Sequence, residues 1–190
     1  MQKDLLYIIM LSQWNLKTQE RVFSSPPFNI LAKTYDNPER NQEFTAYVIE
    51  AQRWANVIAM TQDKKILLIQ QYRFGTDHYE MEIPGGVLEK GEEPLEGAKR
   101  ELEEETGFTA SNWKLIGKVD ANPAIQNNVC YTFLAQDIHS DGQINFDPEE
   151  EIEHELVPLE KVRDYIANGK ITNTFIIAAF YWLERELGTF

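Results

Sequence analysis

The stretch MEIPGGVLEKGEEPLEGAKRELEEETGF, residues 81–108, holds nine glutamates. Glu101, Glu103, Glu104 and Glu105 stand almost side by side. Like charges three or four residues apart weaken a helix by about a few tenths of a kcal/mol per pair, so the crowding calls for a compensating partner. On a helix of about 3.6 residues per turn, Glu105 lies about 40° to one side of Glu101 and Glu104 about 60° to the other. These three share a face. Leu95, Ala98 and Leu102 form the neighbouring stripe, suited to a core, while Glu96, Lys99 and Glu103 turn to solvent. Convergent carboxylates serve two chemistries: holding hard divalent cations such as Mg²⁺ or Mn²⁺, or acid–base work with displaced pKa values. Taken alone, a charge run is more often a solvated surface. Arg100, one turn before Glu104, is placed to pair with it. Ahead of the helix, Pro84-Gly85-Gly86 allows close backbone approach and Gly91 a tight turn.

The elements that must position this segment are strands on both sides and helices at the end. Thr18–Phe23, Phe28–Tyr35 and Phe44–Ile49 read as strands, separated by turn signals at Ser24-Ser25-Pro26-Pro27 and Asp36-Asn37-Pro38. ANVIAMT and KILLIQQYRF are apolar runs joined by Gln62-Asp63-Lys64, short enough for a hairpin. WKLIGKVDA and NVCYTFLAQDI follow as strands, and DPEEEIEHELVPL alternates toward its end. A helix is expected from Pro158 to about Asn168 with Gly169 as its C-cap, and an apolar helix over Thr172–Glu186 behind a Thr/Asn cap. The pattern is a mixed α+β domain over residues 51–190, preceded by a β-rich segment, residues 1–50, suited to a partner subunit.

With 190 residues, 43% of them hydrophobic, the chain has material for one domain with an appended element. A net charge of −13 argues against a nucleic-acid backbone as partner. An acidic chain that handles anions needs a cation or a local arginine to bridge the sign. Cys130 is the single cysteine, which leaves no intrachain disulfide and no cysteine zinc site, and its strand context suits a small buried hydrophobe. Leu5 to Leu11 passes for a short export signal, but Gln13-Trp14-Asn15-Leu16 fills the place of a small-residue cleavage site. No run reaches the roughly 18 apolar residues of a membrane span, so the expectation is a cytoplasmic protein without a membrane partner.

Spacing gives the acidic segment a sharper meaning. Gly86, five residues, Glu92, seven residues, then Arg100-Glu101-Leu102-x-Glu104-Glu105-x-Gly107-Phe108 matches every specified position of the Nudix box. The chain resembles a Nudix hydrolase. The resemblance implies an α/β/α sandwich with a mixed sheet and cation-dependent attack of water on a diphosphate. It carries the metal-ligand role to Glu101 and Glu105, with Glu104 close by, and to the backbone carbonyl of Gly85. Mg²⁺ is the implied cofactor, with Mn²⁺ as the alternative. Arg100 takes the place of the box's structural arginine, and Glu92 that of a residue tying the loop.

Further features resemble the ADP-ribose pyrophosphatase branch. Pro123 lies fifteen residues beyond Phe108, QQYRFGTDHYEMEIPGG resembles that branch's stretch before the box, and GKITNTFIIAAFYWLE resembles its terminal helix. Arg73 then sits where a phosphate-binding arginine is expected, and Glu82 where the branch has a substrate-contacting or structural glutamate. Trp54 and Phe28 are candidates to stack on a base, though each also suits a core or an interface. The branch's general base comes from an acidic loop, here Asp147-Pro148-Glu149-Glu150-Glu151. Glu150 is the expected base, with Glu149 and Glu151 as alternatives. The resemblance also implies a homodimer in which N-terminal strands contribute to the partner's base pocket. Two other readings stand beside this one: a Nudix pyrophosphatase for dinucleoside polyphosphates or nucleoside triphosphates, and a non-catalytic ligand-sensing module.

Overall fold

The computed structural model describes residues 11–145 and 151–189. The chain forms two compact units, Met1–Ala51 with Asn122–Asn127, and Gln52–Ala121 with Asn128–Phe190.

The first unit is an antiparallel meander of β1 (Asn15–Ser24), β2 (Phe28–Asn37) and β3 (Gln42–Ala51). The turn residues read from the sequence make both connections: Ser25 and Phe28 exchange backbone hydrogen bonds, and Asn37 Oδ1 accepts from the Arg40 amide at 3.2 Å. Every residue of β1 is exposed. Leu16, Tyr35 and Phe44 stand opposite one another across the three strands, and Leu16 and Phe44 are more than half exposed. The short segment 122–127 joins this unit through Ile49, whose N–H donates to the Ile125 carbonyl at 2.7 Å.

The second unit is built on a mixed sheet. Its strands are β4 (Trp54–Met60), β5 (Lys65–Arg73), β6 (His78–Glu82), β7 (Gly85–Val87), β8 (Thr109–Asp120), β9 (Val129–His139) and β10 (Ile152–Pro158). The main order is β10-β5-β4-β9-β8, with β4 and β9 parallel and the other pairs antiparallel. Strand period decides the two faces. Ile58, Met60, Ile66 and Leu68 meet Val162 of α2 (Leu159–Ala167) and Ile176, Phe180 and Leu183 of α3 (Thr174–Leu187). On the other face Ala55, Val57, Ala59 and Leu67 meet Ala98 and Leu102 of α1 (Pro94–Thr106). Helices cover both faces, which is why β4 reads as a near-continuous apolar run. The α/β/α sandwich with a mixed sheet expected from the box is the fold observed.

Two local features differ from the sequence reading. The C-cap of α2 is Asn168, and Gly169 adopts positive φ one position later. The Pro84-Gly85-Gly86 loop contains a short strand, because Gly85–Val87 pairs with Trp54–Asn56. That pairing reflects a splay. β4 and β5 meet at Met60 and Ile66, beside their turn, and then part; β7 takes the place beside β4, and β6 the place beside β5. The open end of this hairpin is where the chemistry-bearing residues gather.

Leu102 is fully buried between α1 and the sheet. Truncating such a leucine removes transfer energy and leaves a void, at a cost of about 2–5 kcal/mol. Leu102→Ala should therefore lower the urea midpoint by that equivalent with little change in slope; an unchanged midpoint would refute the packing described.

Candidate active site

α1 begins with Pro94 at its first turn and ends at Gly107, whose φ of 68° closes the helix in the left-handed conformation. One side chain organises what lies between. Arg100 Nε and Nη2 donate to the two carboxylate oxygens of Glu92 at 3.0 and 3.1 Å. Its Nη1 donates to Glu101 Oε1 and Glu104 Oε2, both at 2.9 Å, and Nη2 reaches the Val87 carbonyl at 3.3 Å. The planar five-donor guanidinium spans acceptors that an ammonium could not. Glu92 Oε2 also accepts from the Glu89 amide at 2.7 Å, closing the turn into the helix. The guanidinium holds the Glu92 carboxyl below its usual range, and Glu92 in turn raises the pKa of Arg100, keeping it charged.

The glycines meet the carboxylates. The Gly85 N–H donates to Glu105 Oε2 at 2.9 Å, and Glu105 is only 3% exposed. A Cβ on Gly86 would lie 2.5 Å from Glu101 Oε1. At Gly85, φ is 153° and a Cβ would meet the Ala55 carbonyl at 2.4 Å, so the strand pairing itself requires glycine. Glu101, Glu104, Glu105 and Gly85 line one cavity of about 380 Å³. In kind these are the hard oxygen donors that Mg²⁺ and Mn²⁺ take. Among the described residues no group of three His, Cys, Asp or Glu side chains is closed around a single point. The hydrogen bonds explain this: Arg100 draws on Glu101 and Glu104, and Gly85 on Glu105.

A second cavity, of about 300 Å³, opens at the splayed end of β4 and β5. Arg73, Gly85, Gly86 and Val87 line both cavities, so the two are adjacent. Arg73 faces Glu82 with its guanidinium fork, Nε to Oε1 at 2.9 Å and Nη2 to Oε2 at 2.7 Å. Glu82 is 4% exposed and also accepts from Asn173 Nδ2 at 3.2 Å. Asn173 Oδ1 meanwhile caps α3 by accepting from the Phe175 amide at 2.9 Å. Trp54 meets Phe175 edge-to-face with centroids 5.0 Å apart. Cys130 also lines this cavity, and burial pushes its thiol up to about 12, which removes it as a nucleophile near neutral pH.

The structure thus brings Glu101, Glu104, Glu105, Arg100 and Gly85 to one cavity, and Trp54, Arg73 and Glu82 to its neighbour. Glu82 lines the second cavity, buried and holding three hydrogen bonds, two from Arg73 and one from Asn173. Pro123 is exposed within the 122–127 segment of the first unit and lines neither cavity. Glu149 and Glu150 lie outside the described residues; Glu151 accepts from the Tyr79 hydroxyl at 3.3 Å. The sequence reading missed Asn173 and Phe175 as cavity residues and Asn56 altogether. A polar residue inside the apolar run WANVIAM was the available signal for the last.

The Glu92–Arg100 pair sets a pH dependence. A carboxylate with depressed folded pKa contributes stability in full above its unfolded value of about 4.3, and loses it as pH falls through the lower folded value. Glu92→Gln should therefore be less stable than the parent at pH 7, with the difference shrinking below about pH 4. Urea titrations across that range check this, and a difference independent of pH would contradict it.

The family model described as the NUDIX domain matches residues 51–175. The chain is 28% identical over 169 residues to the ADP-ribose pyrophosphatase of Bacillus subtilis (strain 168), covering 88% of this chain and 91% of that protein. It is 30% identical over 131 residues to the methanol dehydrogenase activator of Bacillus methanolicus, covering 68% and 71% of the two chains. A crystal structure of an ADP compounds hydrolase superposes with a TM-score of 0.82 over 94% of this chain and 96% of that one, at 22% identity, which shows a shared fold. With the box intact on α1 and its loop, and the family model matched across most of the second unit, the chain belongs to the Nudix family.

Proposed function

We propose that this chain is a Mg²⁺-dependent pyrophosphatase that cleaves ADP-ribose, or a related nucleoside diphosphate sugar, to a nucleoside monophosphate and a sugar phosphate. The observation that carries the reading is the pair of adjacent cavities sharing Arg73 and the Gly85-Gly86 backbone. One wall is carboxylate and suits a cation with a diphosphate; the other holds Trp54 and Phe175 and suits the organic group attached to it. The ADP-ribose pyrophosphatase and the ADP compounds hydrolase among its relatives support the same substrate class.

In the reaction a water oxygen attacks one phosphorus, the bridging P–O bond breaks, and the water's proton is released. Glu101, Glu104, Glu105 and the Gly85 carbonyl would hold the cation, Mn²⁺ serving where Mg²⁺ does. The cation supplies neutralisation of the diphosphate charge and activation of water. Arg100 bridges Glu101 and Glu104 and orients them through charge-assisted hydrogen bonds. Arg73, steadied by Glu82, places a positive group beside the phosphates. Glu150 is the proposed acceptor of the water's proton.

Glu105→Gln retains an acceptor for the Gly85 N–H but removes the charge. Turnover of ADP-ribose with Mg²⁺ should fall by orders of magnitude while circular dichroism is unchanged. Glu150→Gln should lower kcat by ~10² to 10⁴-fold with KM nearly constant. Near-parental turnover in the Glu105 variant, or a loss below about threefold in the Glu150 variant, would overturn the respective role.

The N-terminal sheet supports a homodimer. Among the described residues β1 leaves an open edge and an exposed row of Leu16 and Phe44, features that pair with another chain unless covered. No described helix is long and apolar enough to cross a membrane, and a single cysteine suits a reducing compartment such as the cytoplasm. Light scattering at micromolar concentration should give about twice 22.1 kDa, and removal of residues 1–50 should abolish the pairing. A fully active species at 22.1 kDa would exclude the dimer.

A further inference from the structure

Three aromatic side chains cluster at the turn end of β5 and β6. Tyr72 meets Phe74 and Tyr79 edge-to-face, each with centroids 5.4 Å apart, and all three rings are exposed. The Tyr79 hydroxyl is engaged: it donates to Glu151 Oε2 at 3.3 Å. Strand period gives this bond a direction. Gln71 lines the carboxylate cavity, Tyr72 follows it in β5, and Tyr79 is the partner of Tyr72 in β6. Successive side chains of a strand point to opposite faces, and directly paired ones share a face. Tyr72 and Tyr79, and with them the Glu151 carboxylate, therefore lie on the face of the sheet turned from Glu101, Glu104 and Glu105. Of the three glutamates that the acidic loop offers as proton acceptor, Glu151 is held on the wrong side.

We infer that Tyr79 is a positioning residue of the proposed reaction: it holds Glu151 on the far face and so fixes the point from which its neighbour Glu150 reaches the carboxylate cavity. The inference rests on that reaction in taking Glu150 as the proton acceptor. Glu151 is the residue through which the chain enters β10, whose Ile152 pairs with Gln71. Bonded residues keep their Cα atoms about 3.8 Å apart, so an anchor on Glu151 narrows the range of Glu150. The approach from the other side is tied as well. The Asn145 N–H donates to the Glu104 carbonyl at 2.9 Å, and the Gln143 N–H to Glu103 Oε1 at 3.3 Å. A phenol suits the task. The Glu151 charge raises the pKa of Tyr79, so the hydroxyl keeps its proton and remains the donor at neutral pH. Being neutral, it binds one carboxylate without drawing in the acidic residues beside it, as a lysine would.

Tyr79→Phe removes the hydroxyl and keeps the ring against Tyr72. With ADP-ribose and Mg²⁺, kcat should fall about 3- to 10-fold and KM stay constant. Glu151→Ala should show the same loss, and the double variant should be no slower than the slower single one, because both changes break one bond. Glu151→Gln keeps an acceptor and removes the charge; it should lose less than about tenfold, where a proton acceptor would lose ~10² to 10⁴-fold. Unchanged kcat in Tyr79→Phe, losses that multiply in the double variant, or a larger loss in Glu151→Gln would overturn the inference. Amide hydrogen exchange followed by NMR reads the anchor without substrate. Tyr79→Phe should speed exchange at Ile152 and Glu153 several-fold and leave Leu156 and Val157 as in the parent; unaltered exchange at the first two would equally overturn it. If exchange responds as expected but the parent chain does not hydrolyse ADP-ribose, the anchor stands and the proposed reaction falls.

Discussion

A helix that gathers Glu101, Glu104 and Glu105 on one face repels itself, and the position of Arg100 is what makes it tenable. A single guanidinium reaches back eight residues to Glu92 and forward to Glu101 and Glu104, so the loop and the helix are held by one group. The geometry of the glycine turn and that of the carboxylates are therefore one variable. Charge-assisted bonds of this kind are short and directional. They keep three like charges close without relying on solvent screening. The glycines add the steric half of the arrangement: Gly86 leaves room for the Glu101 carboxylate, and Gly85 lends its N–H to Glu105.

The sandwich presents this device through the parting of β4 from β5. Had the two strands stayed paired along their length, β6 and β7 would have no place beside them. Trp54, Arg73 and Glu82 would then sit within a continuous sheet rather than around an opening. The core on both faces is what tolerates the gap, because Ile58 and Ile66 pack with α3 while Val57 and Leu67 pack with α1. The site is thus a local fault in a sheet that is otherwise sealed on both sides.

Much of this was legible in the sequence, for physical reasons that differ by element. β4, β5, β9 and α1 announce themselves by long apolar runs or by helical spacing, and their bounds follow from turn residues such as Gln62-Asp63-Lys64. The convergence of Glu101, Glu104 and Glu105 is a property of one helix and needs no tertiary information. β7 was hidden because Gly-Gly-Val has no strand preference of its own; pairing with β4 makes it a strand. The bond from Asn173 to Glu82 joins residues 91 positions apart and has no local signature. Asn56 was visible as a letter in an apolar run, but its lack of a partner is a fact of packing alone.

Glu82 has a consequence for the end of the chain. One carboxylate receives Arg73 from a strand and Asn173 from the residue that caps α3, and the other end of the Asn173 amide holds the first turn of that helix. The starting point of the last helix and the aim of the cavity's arginine are thereby settled by the same oxygen, Glu82 Oε1. A cavity side chain and the cap of α3 thus hang on one acceptor, so a substitution at Glu82 unsettles both the arginine and the first turn of the C-terminal helix.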